Sequence, residues 1–244
     1  MNQPYASLTS ELPPLDDGEL YFGAKGVERA FRWLLREGRS QPGLKELTQG
    51  VVRELTEGGF LLMRFFVAKP TLHPQIASIA FRWSRQQPEV EIFTRERDIW
   101  QSDQYLRSPM PLIIAGERYI RRRLTGPDLK LDFPVLEDLV LEGATDYVIF
   151  GMRRGDGKHM AVVSMSTDRK GGFTDDELLS FQSLLPLLAL TIEALESKRT
   201  AKLLLEVYLG QDAGRRVMGG LIQRGESVTI AAAIWQCDLR DFTL

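Results

Sequence analysis

Six short apolar runs stand in a row between helical segments, and a chain patterned in that way has one sheet to build. The runs cover residues 60–67, 76–83, 90–93, 112–123, 147–152 and 160–166, and turn-forming residues separate them. Ahead of them Val27, Phe31, Leu34 and Leu35 recur at helical spacing up to Gly38, and Leu44, Leu47, Val51 and Leu55 do the same up to Gly58 and Gly59. A glycine just past an amphipathic stretch caps a helix without steric cost. A short helix is expected over 135–141, stopped by Gly143, and a hairpin at Gly155-Asp156-Gly157, where glycines tolerate the backbone a tight turn needs.

After the last run the pattern changes. Thr174-Asp175-Asp176-Glu177 reads as a capping box with acids in the first helical turn. The apolar positions that follow, Phe181, Leu185, Leu188, Ile192 and Leu195, are spaced four, three, four and three, the rhythm of a coiled-coil seam. A parallel homodimer through this helix is expected, with burial of the stripe on its own sheet as the competing use. Pro186 sits inside the helix and is a candidate kink. Glu193, Glu196, Lys198, Arg199 and Lys202 form a charged exit, placing the domain boundary near Lys198.

Composition narrows the function. With 43% hydrophobic residues a chain of this length can bury a sizeable core. The formal net charge of -2 provides no positive field for a nucleic-acid backbone or an anionic membrane. The most apolar stretch, 184–192, holds Pro186 and is shorter than the roughly 20 residues of a membrane span. Residues 1–18 carry no basic segment followed by an apolar run, which is unlike a secretory signal; they read as a disordered tail, and a cytoplasmic location is expected. Cys237 is the single cysteine, and the histidines are His73 and His159, too few for a Cys/His zinc cluster.

One segment carries more than pattern. Residues 208–243 run through Tyr208-Leu209-Gly210, Gly214, Val217, Gly220 and Arg224-Gly225 to an apolar strand over 228–235, then Asp238-Leu239-Arg240 and Phe242-Thr243. This resembles the opening of class III adenylate/guanylate cyclase domains. The region before it resembles the GAF-like segment found beside such domains, in Thr71-Leu72-His73-Pro74, Phe81-Arg82-Trp83, Ser108-Pro109 and Gly143-Ala144-Thr145-Asp146-Tyr147. The resemblance implies an α+β fold: a GAF-like antiparallel sheet flanked by helices over 19–198, a linker over 199–227, and the first strand of a truncated cyclase domain over 228–244.

It further implies a parent enzyme that converts ATP, or GTP, to the cyclic nucleotide and pyrophosphate, with a GAF-like domain of unknown ligand controlling a dimeric catalytic domain. Two-metal chemistry needs hard oxygen ligands for Mg2+ or Mn2+. By resemblance these are the carboxylate of Asp238 and the carbonyl of Leu239. Asp241 stands where most members have glycine. The family's second metal-binding aspartate and its base-selecting residues fall beyond Leu244, so this chain alone is expected not to turn over nucleotide. The alternative is a standalone GAF-like sensor and dimerisation module.

Three further groups invite a role. Arg118, Arg121, Arg122 and Arg123 could grip an anion, although a solvated sheet edge is the simpler expectation. His73 reads as a loop histidine. Trp83, Phe93, Trp100, Tyr105 and Tyr147 fall where a small-molecule pocket would form, while core packing accounts for them equally. Gly210, Gly214, Gly219 and Gly220 match neither phosphate-loop pattern.

Overall fold

The computed structural model describes residues 20–71, 75–127, 129–153, 157, 159–220, 233 and 235–237. The chain divides into two units, Met1–Glu196 and Ser197–Leu244.

In the first unit, helices α1 (Lys25–Glu37) and α2 (Leu44–Glu57) precede strands β1 (Arg64–Pro70), β2 (Ile76–Ser84) and β3 (Glu91–Glu96). A 3-10 turn, Arg97–Gln101, and the short helices α3 (Asp103–Leu106) and α4 (Met110–Ala115) lead to β4 (Tyr119–Arg123). Helix α5 (Pro134–Leu141), strands β5 (Asp146–Arg153) and β6 (His159–Thr167), and the long helix α6 (Asp175–Leu209) complete the order, α6 running past the unit's end. The strands form one sheet in the order β3-β2-β1-β6-β5-β4, every neighbouring pair antiparallel.

The α+β class and the single six-stranded sheet follow the sequence expectation, with one correction. Residues 112–123 are not one strand. Met110–Ala115 is helical, started by Pro109 and Pro111 and ended at Gly116, whose φ is 137; only Tyr119–Arg123 joins the sheet. The capping box at α6 is present: Glu177 N–H donates to Thr174 Oγ1 at 3.2 Å, and Thr174 N–H donates to a Glu177 carboxylate oxygen at 2.8 Å.

The two faces of the sheet differ. One packs α1, α2 and α6 into a continuous core that includes Trp33, Phe60, Phe65, Trp83, Phe150 and Phe181. The rings of Phe60, Phe65 and Phe150 lie 6.3, 6.2 and 5.7 Å from that of Phe181. On the other face α4 and α5 pack Ile113, Leu136 and Leu139 against Tyr147 and Ile149. The antiparallel sheet is thus flanked by helices as expected, with helices from both ends of the domain on one side and shorter crossing segments on the other.

The expected dimer seam is used differently. Phe181, Leu188, Ile192 and Leu195 are buried in their own domain, and Leu185 packs against the same core. A core helix explains the stripe because three large rings already surround Phe181. Helix α6 is longer than its most apolar stretch, and by length and composition it could cross a membrane; 56% of that apolar window is buried within the domain.

The second unit contains the last turns of α6 and a short helix, α7 (Gln211–Met218). Gly210, with φ 82, makes the turn between them. Gly214 lies so close to α6 that a Cβ would stand 3.0 Å from the backbone of Leu205 and Glu206, so this glycine of the quoted motif is a packing position.

Candidate functional site

A cavity of about 680 Å3 lies on the sheet face opposite α6, within the usual size of small-molecule sites. Its floor is made by alternate residues of four strands: Arg64, Phe66 and Ala68 of β1, Ser78, Ala80 and Arg82 of β2, Phe93 and Arg95 of β3, and Val162, Ser164 and Ser166 of β6. Alternation places such residues on one face of a pleated sheet. Tyr147 of β5 closes one side, and Trp100, Tyr105, Met110, Ile114 and Val135 of the crossing segments form the cover.

Four of the five aromatic residues expected at a pocket line it: Phe93, Trp100, Tyr105 and Tyr147. Trp100 and Tyr105 stack edge to face with centroids 4.9 Å apart, and burial raises the Tyr105 pKa. Trp83 is on the opposite face, in the helix-side core; its strand neighbours Arg82 and Ser84 take the other side.

The polar part of the floor has a definite order. Arg64 of β1 pairs in register with Ser166 of β6, and Ser166 with Tyr147 of β5. These three side chains therefore form a row across adjacent strands. Burial pushes the Tyr147 hydroxyl pKa well up, against the smaller opposing effects of its hydrogen bond with Ser164 and of nearby Arg64. Arg64 reaches Glu142, just past α5, through one terminal nitrogen. Its Nε and the Ser166 hydroxyl are buried and have no hydrogen-bond partner among the described residues.

Buried polar atoms are nearly always paired, so these two on neighbouring strands are an exception within the sheet. Arg82 is held by Glu91 at 2.7 Å and lies 4.6 Å over the Phe93 ring. Lys69, at the rim, pairs with Glu196 at 2.8 Å. His159 also lines the cavity, its Nδ1 buried and without a partner among the described residues; burial, then the neighbouring Arg153 charge, lowers its pKa.

The basic cluster is corrected. Arg121 and Arg122 are buried rather than solvated. Arg121 pairs with Asp146, and Arg122 donates to Asp132 at 2.6 Å with its guanidinium 5.5 Å from the Phe133 ring centre. They hold structure and point to no anion. Arg123 reaches the Gly171 carbonyl.

Asp238, Leu239 and Asp241, with His73, lie outside the described residues, as do residues 1–19. Among the described residues no three His, Cys, Asp or Glu side chains gather in a way that could hold a metal ion. Sequence reasoning missed Arg64, Ser164 and Ser166. A signal was present in Ser164 and Ser166, two hydroxyls at alternate positions of an otherwise apolar strand.

No protein-family model matches the chain, and no curated protein matches it. Among solved structures it is similar to the GAF domain of a phosphoenolpyruvate-protein phosphotransferase from Coxiella burnetii, at 14% identity and a TM-score of 0.49, covering 73% of this chain and 99% of that one. It is similar to the phycoerythrobilin-bound GAF domain of a cyanobacterial phytochrome, at 14% identity and TM-score 0.48 over 71% of this chain and 97% of that one. A free methionine-R-sulfoxide reductase from Neisseria meningitidis gives 10% identity and TM-score 0.45 over 73% and 98%.

Proposed function

We propose that the domain ending near Glu196 is a regulatory sensor that binds a small organic molecule in the cavity and passes its bound state to α6. The observation that supports this is a 680 Å3 space over the sheet, mainly apolar in lining and bordered by Phe93, Trp100, Tyr105 and Tyr147. A cleft of this size with an apolar lining is the usual form of a small-molecule site. Strands β1 and β6 form the floor on one side and pack the helix core on the other, so a ligand that shifts them biases α6 directly. Coupling of this kind amounts to about 1–3 kcal/mol.

The test is fluorescence titration with prodan, a neutral apolar probe, on wild type and on Ala80→Phe. Ala80 is on the floor, opposite Phe93 in register, and the larger ring fills the space. Saturable binding that disappears in the variant while its fold is retained supports the reading; equal binding by both proteins removes it.

A finer reading rests on the sequence of 208–243. In it the sensor is the regulatory part of a class III adenylate cyclase acting on ATP, with Asp238 and Leu239 among the ligands of Mg2+ or Mn2+ in the parent enzyme. Asp238→Ala in a protein extended through its catalytic domain is then expected to lose cyclic AMP formation by on the order of a thousandfold. Wild-type output from that variant rules the reading out. We also infer a homodimer through the side of α6 that its domain leaves exposed, where Leu190 stands 63% open to solvent.

A further inference from the structure

We infer that the cavity takes a neutral planar aromatic molecule whose carbonyl or ring-nitrogen acceptor is met by the indole N–H of Trp100 and the hydroxyl of Tyr105. This rests on the sensor reading and adds the ligand's chemical class. The two rings stand edge to face with centroids 4.9 Å apart, and both line the cavity. Both residues are half-buried. Among the described residues neither donor has a hydrogen-bond partner, and unlike the sealed atoms of Arg64 and Ser166 neither is closed off from solvent. An acceptor that enters the cavity therefore reaches donors that no protein group has taken.

The charges of the lining cancel. Arg82 is held by Glu91 at 2.7 Å, Lys69 by Glu196 at 2.8 Å, and Arg64 by Glu142. The two lining charges that remain, Arg95 and Asp138, are opposite in sign. Burial pushes the Tyr105 and Tyr147 phenols up and the His159 imidazole down, so all three are uncharged near neutral pH. Taking a charged group out of water is compensated only by a partner of opposite sign, and a lining already paired within itself offers neither an anion nor a cation that gain. The walls favour a flat body. Ala68, Ser78 and Ala80 keep the floor low, and the Arg82 guanidinium lies 4.6 Å over the Phe93 ring, a planar stack at one side.

The experiment is equilibrium dialysis of the whole chain at neutral pH against naphthalenes of nearly one shape: 2-acetylnaphthalene, 2-ethylnaphthalene, 2-naphthoate and 2-naphthylmethylammonium. It is repeated on the double variant Trp100→Phe with Tyr105→Phe, which keeps both rings and removes both donors. The expected result is the ketone tighter than either ion by about tenfold or more, and tighter than ethylnaphthalene by several-fold, with the second advantage lost in the double variant. Tyr105→Phe alone, read in the same way, keeps the test where the double variant folds poorly. Either ion equal to or tighter than the ketone overturns the neutral class and leaves the cavity as a ligand site. Ethylnaphthalene equal to the ketone in wild type, or a ketone advantage unchanged in the variants, overturns the role of the two donors. No binding of any of these overturns the class, and prodan binding then decides separately whether the sensor reading survives.

Discussion

Arg121 donates to Asp146 at 2.8 Å, and both side chains are sealed from solvent, at 2% and 0% exposure. Asp146, on β5, also accepts the N–H of Phe173 at 3.0 Å, while Arg121, on β4, donates to the Phe173 carbonyl at 2.6 Å and to Asp175 at 3.0 Å. Two strands and the start of α6 therefore meet at one ion pair. Removing Asp146 leaves the buried Arg121 charge with only the Phe173 carbonyl and the exposed Asp175 as partners, so Asp146→Ala is expected to lower stability by about 3 kcal/mol. The double change Arg121→Met with Asp146→Leu should recover a large part of that in urea unfolding, because it removes both charges.

Gly172 belongs to the same junction. Its φ of 72 suits glycine, and a Cβ there would stand 2.4 Å from a carboxylate oxygen of Asp146. Gly172→Ala is expected to cost about 1–3 kcal/mol through backbone strain and displacement of the pair. Thermal unfolding monitored by circular dichroism measures it, and an unchanged midpoint would contradict the junction's role.

His159 supplies a pH dependence. Burial, with Arg153 close by, holds its imidazole below the ordinary histidine pKa, so as pH falls the unfolded chain takes up this proton first. Its contribution to stability is complete above about pH 6.5 and is lost as pH falls through that value toward the lowered folded pKa. Denaturant unfolding between roughly pH 7.5 and 5 should show wild type losing stability with acidification and His159→Gln losing less. Parallel curves would show that this group does not contribute.

The α6 stripe gives a prediction opposite to the dimer-seam expectation. Leu188 and Ile192 are core residues, so Leu188→Ala is expected to destabilise the domain by about 2–5 kcal/mol, and Leu188→Glu with Ile192→Glu to unfold it. Leu190→Glu, on the exposed side, should keep the fold. Light scattering then separates the two faces: dissociation by Leu190→Glu with circular dichroism unchanged supports a dimer on the exposed side, and a wild type that is monomeric at tens of micromolar removes the dimer.

The sequence was most readable where its signals are local. The Thr174–Glu177 box and the glycine-closed helices α1 and α2 depend on residues within a turn of one another, and they formed where the spacing placed them. Over 112–123 two elements share one apolar run, and the break at Gly116 is a backbone property that hydrophobic pattern does not display. The arginine cluster was unreadable for a different reason: Asp146 and Asp175, the partners of Arg121, lie 25 and 54 residues away. The donor row of the cavity, from Arg64 through Ser166 to Tyr147, likewise exists only once three strands are in register.

The most direct measurement of the central claim is amide hydrogen exchange on the whole chain, with and without saturating prodan. The account predicts slowed exchange in the crossing segments that cover the cavity, Arg97–Gln101, α4 and α5, with a further change in the turns of α6 that pack on β1 and β6. Protection confined to other surfaces, or no protection at a concentration where the probe is bound, would contradict a ligand site in this cavity.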